Sequence, residues 1–173
     1  MATTSYAIAL GSNRRSRHGS PAATLRAALA AIGGVRAASA IRTTPALGPA
    51  GRSFANAAAI IESSLDPDAL LAELKAVERA FGRRPGRRWG PRVLDLDIVL
   101  WSGGAWRGPG PIIPHPAFRN RAFVLQPLAG IAPAWRDPIS GATMRQLFAR
   151  LTAPRPDYFL SAAFSEPSGV SPT

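Results

Sequence analysis

Two aspartates, Asp95 and Asp97, stand one residue apart in the most strand-like segment of the chain, Arg92 to Trp101. Because side chains alternate along a strand, both carboxylates share one face, with Cα atoms about 6.6 Å apart. The alternating apolar positions predict a packed opposite face, formed by Leu94, Leu96, Ile98 and Leu100. Adjacent carboxylates repel unless a cation or arginines lie between them, and Mg²⁺ prefers oxygen ligands with phosphates as co-ligands. The pair predicts a magnesium site, although a solvent-facing strand with two incidental acids has the same spacing.

A cluster of arginines leads into this strand: Arg83, Arg84, Arg87, Arg88 and Arg92. Carboxylates for a metal and guanidinium groups for phosphate are what phosphoryl transfer needs, because positioning and charge neutralisation do most of the catalysis. Glu78 lies at the end of a predicted helix, where the helix dipole disfavours an anion, so an arginine of the adjoining loop could pair with it. Trp89 could stack on a base or anchor the loop.

His115 stands between Pro114 and Pro116, which fix its backbone. Its imidazole could donate a hydrogen bond to a phosphate oxygen, and a structural role is the alternative. Arg121 adds positive charge a few residues later. Phe123 begins an apolar stretch and, taken alone, would be a core residue.

Strands are predicted at 6–10, 35–44, 56–64 and 92–101, and another helix near 144–148. Helices should begin at Ser20-Pro21 and Asp66-Pro67, where a capping side chain precedes a proline at the first helical position. This order favours an α+β sandwich with helices covering a mostly antiparallel sheet. A chain of 173 residues predicts one domain, residues 1–160, with a flexible tail at 161–173 that is rich in Ser and Pro.

The composition narrows the functional classes. The chain has no cysteine, which excludes disulfides and thiolate metal sites. It has no long apolar run and no secretory signal, so we expect a cytoplasmic, monomeric enzyme without a membrane partner. The net charge of +11 attracts polyanions and makes a nucleic-acid-binding module one alternative. Two acids on one strand face argue against nucleic acid as a partner, and another Mg-dependent nucleotidyl or phosphoryl transferase is the second alternative.

The run Arg88-Trp89-Gly90-Pro91-Arg92-Val93-Leu94-Asp95-Leu96-Asp97-Ile98-Val99 resembles the signature of the 6-hydroxymethyl-7,8-dihydropterin pyrophosphokinase family. Other segments are similar to that family in the same order: Leu10-Gly11-Ser12-Asn13, Phe54-Ala55-Asn56, Ile113-Pro114-His115-Pro116 and Asn120-Arg121-Ala122-Phe123. The resemblance implies a ferredoxin-like sandwich. It also implies that diphosphate is transferred from ATP to the hydroxymethyl group of 6-hydroxymethyl-7,8-dihydropterin, with release of AMP, in folate biosynthesis.

The resemblance further implies a role for each matching residue. Asp95 and Asp97 would bind two Mg²⁺ ions that bridge the ATP phosphates, and Arg84 and Arg92 would act in catalysis. Either Arg83 or Arg84 matches a mobile-loop arginine that closes over the phosphates. The positions that match the ATP site are Arg92, His115 and Arg121 for phosphate, Glu78, Arg83 and Trp89 near the nucleotide, and the backbone of Ile98 for adenine.

The pterin pocket follows from the same resemblance. Asn56 would read the edge of the pterin ring, and Phe54 and Phe123 would sandwich its faces. Thr43 and Leu47 would line the pocket. Two aromatic faces and one amide can discriminate such a ring, because an unpaired polar edge is costly to bury.

Overall fold

The structure is a computed structural model that describes residues 2–44, 53–82 and 92–154. Its strands are β1 (Thr4–Ser12), β2 (Val35–Ala38), β3 (Arg42–Thr44), β4 (Phe54–Ser63), β5 (Asp95–Trp101), β6 (Trp106–Arg107) and β7 (Ile112–Ile113). Its α-helices are α1 (Pro21–Ala31), α2 (Pro67–Ala80), α3 (Ala122–Ile131) and α4 (Met144–Thr152), and a 3₁₀ turn spans Phe118–Asn120. The predicted strands and helices are all present. The predicted strand at 35–44 is divided into β2 and β3.

The main sheet has the strand order β2-β4-β1-β5, and β3 pairs with the first residues of β4. Every pairing among the described strands is antiparallel. With α1 after β1 and α2 after β4, this is the βαββαβ order of a ferredoxin-like sandwich, which confirms the predicted fold class. β5 lies at one edge of the sheet, next to β1.

Side-chain caps begin the helices at the predicted residues. The hydroxyl of Ser20 accepts a hydrogen bond from the Ala23 N–H at 3.2 Å, and the Asp66 carboxylate accepts one from the Ala69 N–H at 2.8 Å. Each cap satisfies an N–H that has no partner within its helix. Gly82, with φ of +97°, follows the end of α2 in a conformation that favours glycine.

The sheet is buried on both faces. One face packs against α1 and α2 through residues that include Tyr6, Ile8, Leu10, Leu74, Leu94, Leu96 and Ile98. The other packs against α3 and α4 through residues that include Ala7, Ala58, Val99, Leu100, Leu125 and Leu128.

The prediction that Leu100 shares a face with Leu94, Leu96 and Ile98 is wrong. Ile8 pairs with Ile98 but Ala7 pairs with Leu100, so β5 contains one extra residue at this point. Such a bulge reverses the alternation beyond it and turns Leu100 toward α3 and α4.

A buried ion pair stabilises the turn before α4. Asp137 is fully buried, and Arg119 donates to both of its carboxylate oxygens, at 2.8 and 2.6 Å. Burial alone would raise the pKa of Asp137, but hydrogen bonds from Arg119, Ser140 and the Ile139 N–H outweigh it and lower the pKa to about 2. Among the described residues, no helix is long and apolar enough to cross a bilayer.

Candidate active site

Four residues from four neighbouring strands form a row across one face of the sheet. Asp95 pairs with Gly11, Gly11 with Asn56, and Asn56 with Arg42. Directly opposed residues project to the same face, so these side chains share the face that α3 covers farther along the strands. We call these four residues the site row. It lies where β1 ends and β4 and β5 begin.

Asp95 and Asp97 lie on this face, as the alternation along β5 predicts. Asp97 pairs with Ala9, so this pair lies two residues along the strands from the site row. Asp95 Oδ2 accepts a hydrogen bond from Arg92 Nη1 at 2.6 Å, and the two side chains are 21% and 37% exposed. Both groups are therefore held together and remain accessible to a ligand.

Asn13 fixes the backbone that carries Arg92. Its N–H donates to the Arg92 carbonyl at 3.1 Å, and its side-chain Oδ1 accepts from the Arg92 N–H at 2.8 Å. These reciprocal bonds join the end of β1 to the entrance of β5. An arginine is thereby positioned beside Asp95, where it also offsets carboxylate charge.

Glu78 is fully buried beneath β5. Its Oε1 accepts from the Leu96 N–H at 2.7 Å and from Lys75 Nζ at 2.8 Å. Lys75 Nζ also donates to the Leu96 carbonyl at 3.1 Å. This ion pair of α2 binds both backbone groups of the residue between the two aspartates. We call it the Glu78–Lys75 clamp.

His115 is attached to the same strand, because its N–H donates to the Val99 carbonyl at 3.0 Å. Its Nδ1 accepts from the Ala117 N–H at 3.2 Å, so the proton of the neutral ring lies on Nε2. Burial is the largest influence and lowers the His115 pKa, while Asp97 raises it and Arg121 lowers it. These groups are close enough to interact electrostatically, and the neutral imidazole still presents one N–H donor.

Arg121 precedes α3, and its guanidinium carbon lies 5.8 Å from the centre of the Phe123 ring. Phe123 is 42% exposed, and Phe54, two residues before Asn56 of the site row, is 39% exposed. Large aromatic side chains are rarely left so open in a folded core. The sequence around Phe123, taken by itself, predicted a core residue, and this prediction is therefore wrong.

A shallow cleft opens beside Asn56. Its lining residues are Arg42, Thr44, Asn56, Phe123, Gln126 and Pro127. Asn56 is only 8% exposed, and its Nδ2 donates to Thr44 Oγ1 at 3.0 Å. Its Oδ1 accepts no hydrogen bond from any residue that the structure describes. An acceptor in this state is well suited to a ligand that brings its own donor.

The structure puts Thr44 rather than Thr43 at this cleft. Thr44 pairs with Phe54 and lies on its face, whereas Thr43 pairs with Ala55, whose side chain packs toward α1 and α2. The side chain of Ile98 is 3% exposed, so only its backbone could meet a nucleotide.

Four predicted site residues, Leu47, Arg83, Arg84 and Trp89, lie outside the described residues. Conversely, sequence reasoning missed Gly11, Arg42, Lys75 and Gln126. Gly11 stands in the segment Leu10-Gly11-Ser12-Asn13, already noted as similar to the family, and Lys75 and Gln126 also had a signal in the sequence. Lys75 stands three residues before Glu78 and Gln126 three after Phe123, a spacing that places side chains together on a helix.

The sequence of this chain is similar to those of a known protein family. Residues 7–133 match the model of a family described as 7,8-dihydro-6-hydroxymethylpterin-pyrophosphokinase (HPPK). A Methylorubrum extorquens protein named 2-amino-4-hydroxy-6-hydroxymethyldihydropteridine pyrophosphokinase is 42% identical over 150 residues, which are 83% of this chain and 91% of that protein. A Synechocystis protein of the same name is 44% identical over 102 residues, covering 59% of this chain and 52% of its own length.

Solved structures agree on the fold. A Plasmodium falciparum HPPK-DHPS structure with STZ-DHP superposes with a TM-score of 0.67 at 13% identity, covering 86% of this chain and 43% of that one. Another, with pteroate, gives a TM-score of 0.63 at 12% identity, covering 86% and 42%. The chain thus spans less than half of these longer proteins. At such identity the likeness concerns the arrangement of strands and helices.

Proposed function

Because this chain belongs to the 7,8-dihydro-6-hydroxymethylpterin-pyrophosphokinase family, we propose that it transfers diphosphate from ATP to 6-hydroxymethyl-7,8-dihydropterin in folate biosynthesis. The observation that carries the proposal is the site row, which aligns an acid suited to metal binding with an amide suited to a heterocycle. Relatives with the corresponding name match up to 91% of their own length.

The reaction makes one bond and breaks one. The hydroxymethyl oxygen of the pterin attacks the β-phosphorus of ATP, and the bond from that phosphorus to the α–β bridging oxygen breaks. AMP leaves with the bridging oxygen, and the hydroxyl proton passes to water. The protein must hold the two substrates in line and stabilise the charge on the phosphates.

The donor set around Asp95 and Asp97 fits Mg²⁺. Within the described residues, no cluster of three or more acidic or histidine side chains could enclose a metal ion alone. Two carboxylates on one strand face instead leave coordination positions for phosphate oxygens and water, which is how Mg²⁺ is usually held. We propose two such ions, and bound there they would neutralise phosphate charge.

Three described residues would bind the phosphates. The Arg92 guanidinium lies beside Asp95, and the His115 Nε2–H is available as a donor close to Asp97. Arg121 is the third; it interacts electrostatically with His115, and its guanidinium carbon lies 5.8 Å from the centre of the Phe123 ring. Backbone groups of Ile98 would meet the nucleoside. Glu78 is fully buried and would act near the nucleotide by holding the β5 backbone. Arg83 or Arg84 would close over the phosphates from outside the described residues.

The pterin would bind in the cleft beside Asn56. The Asn56 Oδ1 would accept hydrogen bonds from the donors on the pyrimidine edge of the ring, while Thr44 orients the Asn56 amide. Phe54 and Phe123 would cover the two faces of the ring, which explains why both aromatic side chains are exposed. A substrate without a donor on that edge would leave Asn56 unpaired and should bind poorly.

The decisive assay measures AMP released from ATP and Mg²⁺ with and without 6-hydroxymethyl-7,8-dihydropterin. We expect release only with the pterin, and a fall of at least a hundredfold in Asp97→Asn. Glu73→Gln, an exposed acid on α2, is the matched control and should keep wild-type turnover. Pterin-independent release, or normal turnover of folded Asp97→Asn with Mg²⁺ as the only metal, would contradict the proposal.

A monomeric, cytoplasmic protein remains our expectation. Light scattering on the purified full chain tests the oligomeric state, and fractionation of cells tests the location.

A further inference from the structure

Three arginines lie on the loop that follows β1. Arg14, Arg15 and Arg17 stand between Ser12, the last residue of β1, and the residue that caps α1. All three are exposed, and none forms an ion pair with an acid of the described residues. We call them the loop arginines. An exposed charge without an opposite charge nearby acts chiefly on the solutes around it.

The loop is held in place by other side chains. Ser16 Oγ accepts a hydrogen bond from the His18 N–H at 3.0 Å and lies 2.8 Å from Thr24 Oγ1 of α1. The His18 ring stacks on the Phe81 ring at the end of α2, with centroids 4.5 Å apart. Arg17 Nε donates to His18 Nε2 at 3.2 Å. The side chains of the other two loop arginines take no part in these contacts and can be changed without removing any of them.

The loop arginines lie near the metal-binding side of the candidate site. Asn13, directly before Arg14, exchanges two hydrogen bonds with Arg92, whose guanidinium binds Asp95. Because an extended chain spans at most about 3.6 Å per residue, the Arg14 Cα lies within about 11 Å of the Cα of Gly11 in the site row. This distance is about one Debye length at 0.1 M salt and is well inside the length of about 30 Å at 0.01 M. The charge of the loop arginines therefore reaches the site when the salt concentration is low.

The neighbouring helix does not offset this charge at close range. α2 contains three acids, of which Asp68 lies in its first turn, at the other end from Phe81. Glu73 stands eight residues before Phe81, which is about 12 Å along the helix axis. Glu78 is nearer, but it is fully buried and paired with Lys75. The surface beside the loop therefore carries an excess of positive charge.

We infer that the loop arginines attract ATP electrostatically and raise the rate at which it reaches the site, without contacting the bound nucleotide. This inference rests on the proposed function, which makes one ligand a nucleoside triphosphate. A triphosphate with one Mg²⁺ ion keeps a net negative charge, whereas the pterin is uncharged and should not respond. Charge of one sign around a cleft raises association rates of oppositely charged ligands by about 10–1000-fold, and the effect falls steeply with ionic strength.

The test compares the double variant Arg14→Glu/Arg15→Glu with the control Arg145→Glu/Arg150→Glu. The control residues are exposed arginines of α4. Each double variant contains two charge reversals of two units, so both have a net charge of +7 instead of +11. Stopped-flow fluorescence measures the association and dissociation rate constants of a fluorescent, non-hydrolysable ATP analogue with Mg²⁺, at low and at high salt.

We expect association to slow at least about tenfold in the loop variant at 0.01 M salt, and less than about twofold at 1 M, where the Debye length is about 3 Å. Its dissociation rate constant should equal that of wild type, because an effect on encounter changes association alone. The control should associate within about twofold of wild type at both salt concentrations, since its charges are not beside the loop.

Two results would overturn the inference. If the control slows as much as the loop variant, net charge explains the effect, and if dissociation becomes faster, the loop arginines contact bound nucleotide. Should the loop variant fail to fold by circular dichroism, Arg14→Gln/Arg15→Gln takes its place; it must show a smaller, salt-dependent slowing, and no slowing overturns the inference. Wild-type protein that binds the analogue but releases no AMP with pterin contradicts the proposed function, a result that the rate constants do not share.

Discussion

The Glu78–Lys75 clamp should support both stability and metal binding. Removing one member of a buried ion pair costs about 3–5 kcal/mol, because the remaining charge and its partners lose their bonds. The Lys75 side chain is 31% exposed and can reach water, so we expect the lower end, about 3 kcal/mol, for Glu78→Ala. Glu78→Gln keeps an oxygen for the Leu96 N–H but loses the charge, and should cost about 1–2 kcal/mol.

The clamp also holds the residue between the two aspartates, so loss of the clamp should also weaken metal binding at these aspartates. Loss of a residue that orients metal ligands typically weakens metal affinity or activity by about 10–100-fold. We therefore expect Mg²⁺-dependent binding of an ATP analogue to weaken at least tenfold in Glu78→Ala and less in Glu78→Gln.

Urea unfolding followed by circular dichroism measures the first effect, and calorimetric titration of folded protein measures the second. Glu73→Ala, on an exposed position of the same helix, is the matched control and should stay within about 0.5 kcal/mol of wild type. If Glu78→Ala matches this control in both measurements, the reasoning about the clamp is refuted.

Three further predictions follow from single contacts. The Asp137 pKa is about 2 in the folded protein against 3.8 for an ordinary aspartate, so its ionised form contributes about 2 kcal/mol that is present above pH 3.8 and lost as pH falls through about 2. Urea unfolding of wild type and Asp137→Asn should differ at pH 7 and converge near pH 2; a constant difference would contradict this. Thr44→Val should raise the KM for pterin several-fold by freeing the Asn56 amide, while Thr43→Val should not; equal effects would argue against the side-chain assignment. EDTA should stop AMP release and excess Mg²⁺ restore it, and release that persists in EDTA would exclude the metal.

Much of the fold could be predicted because its signals are local. Strand alternation, N-cap residues and prolines at first helical positions all act within a few residues, and they placed β1, β4, β5, α1 and α2. The same alternation put Asp95 and Asp97 on one face. The bulge in β5 could not be predicted, because it depends on how Ala7 and Ile8 of another strand pair with it.

In the candidate site, too, local sequence signals predicted some features and long-range strand pairing decided the others. Residue types and spacing alone gave the two carboxylates and the arginine-rich entrance, and the resemblance of the quoted segments to a known signature gave the family. Only the pairing of β1 with β4 and β5 put Gly11 between Asn56 and Asp95, which lie 45 and 84 positions after Gly11 in the chain. Register is decided by long-range burial, since a shift of one residue would turn every side chain to the other face. For the same reason the tertiary structure, and not the sequence pattern, gave Leu96 as the partner of Glu78 and placed Thr44 rather than Thr43 at the cleft.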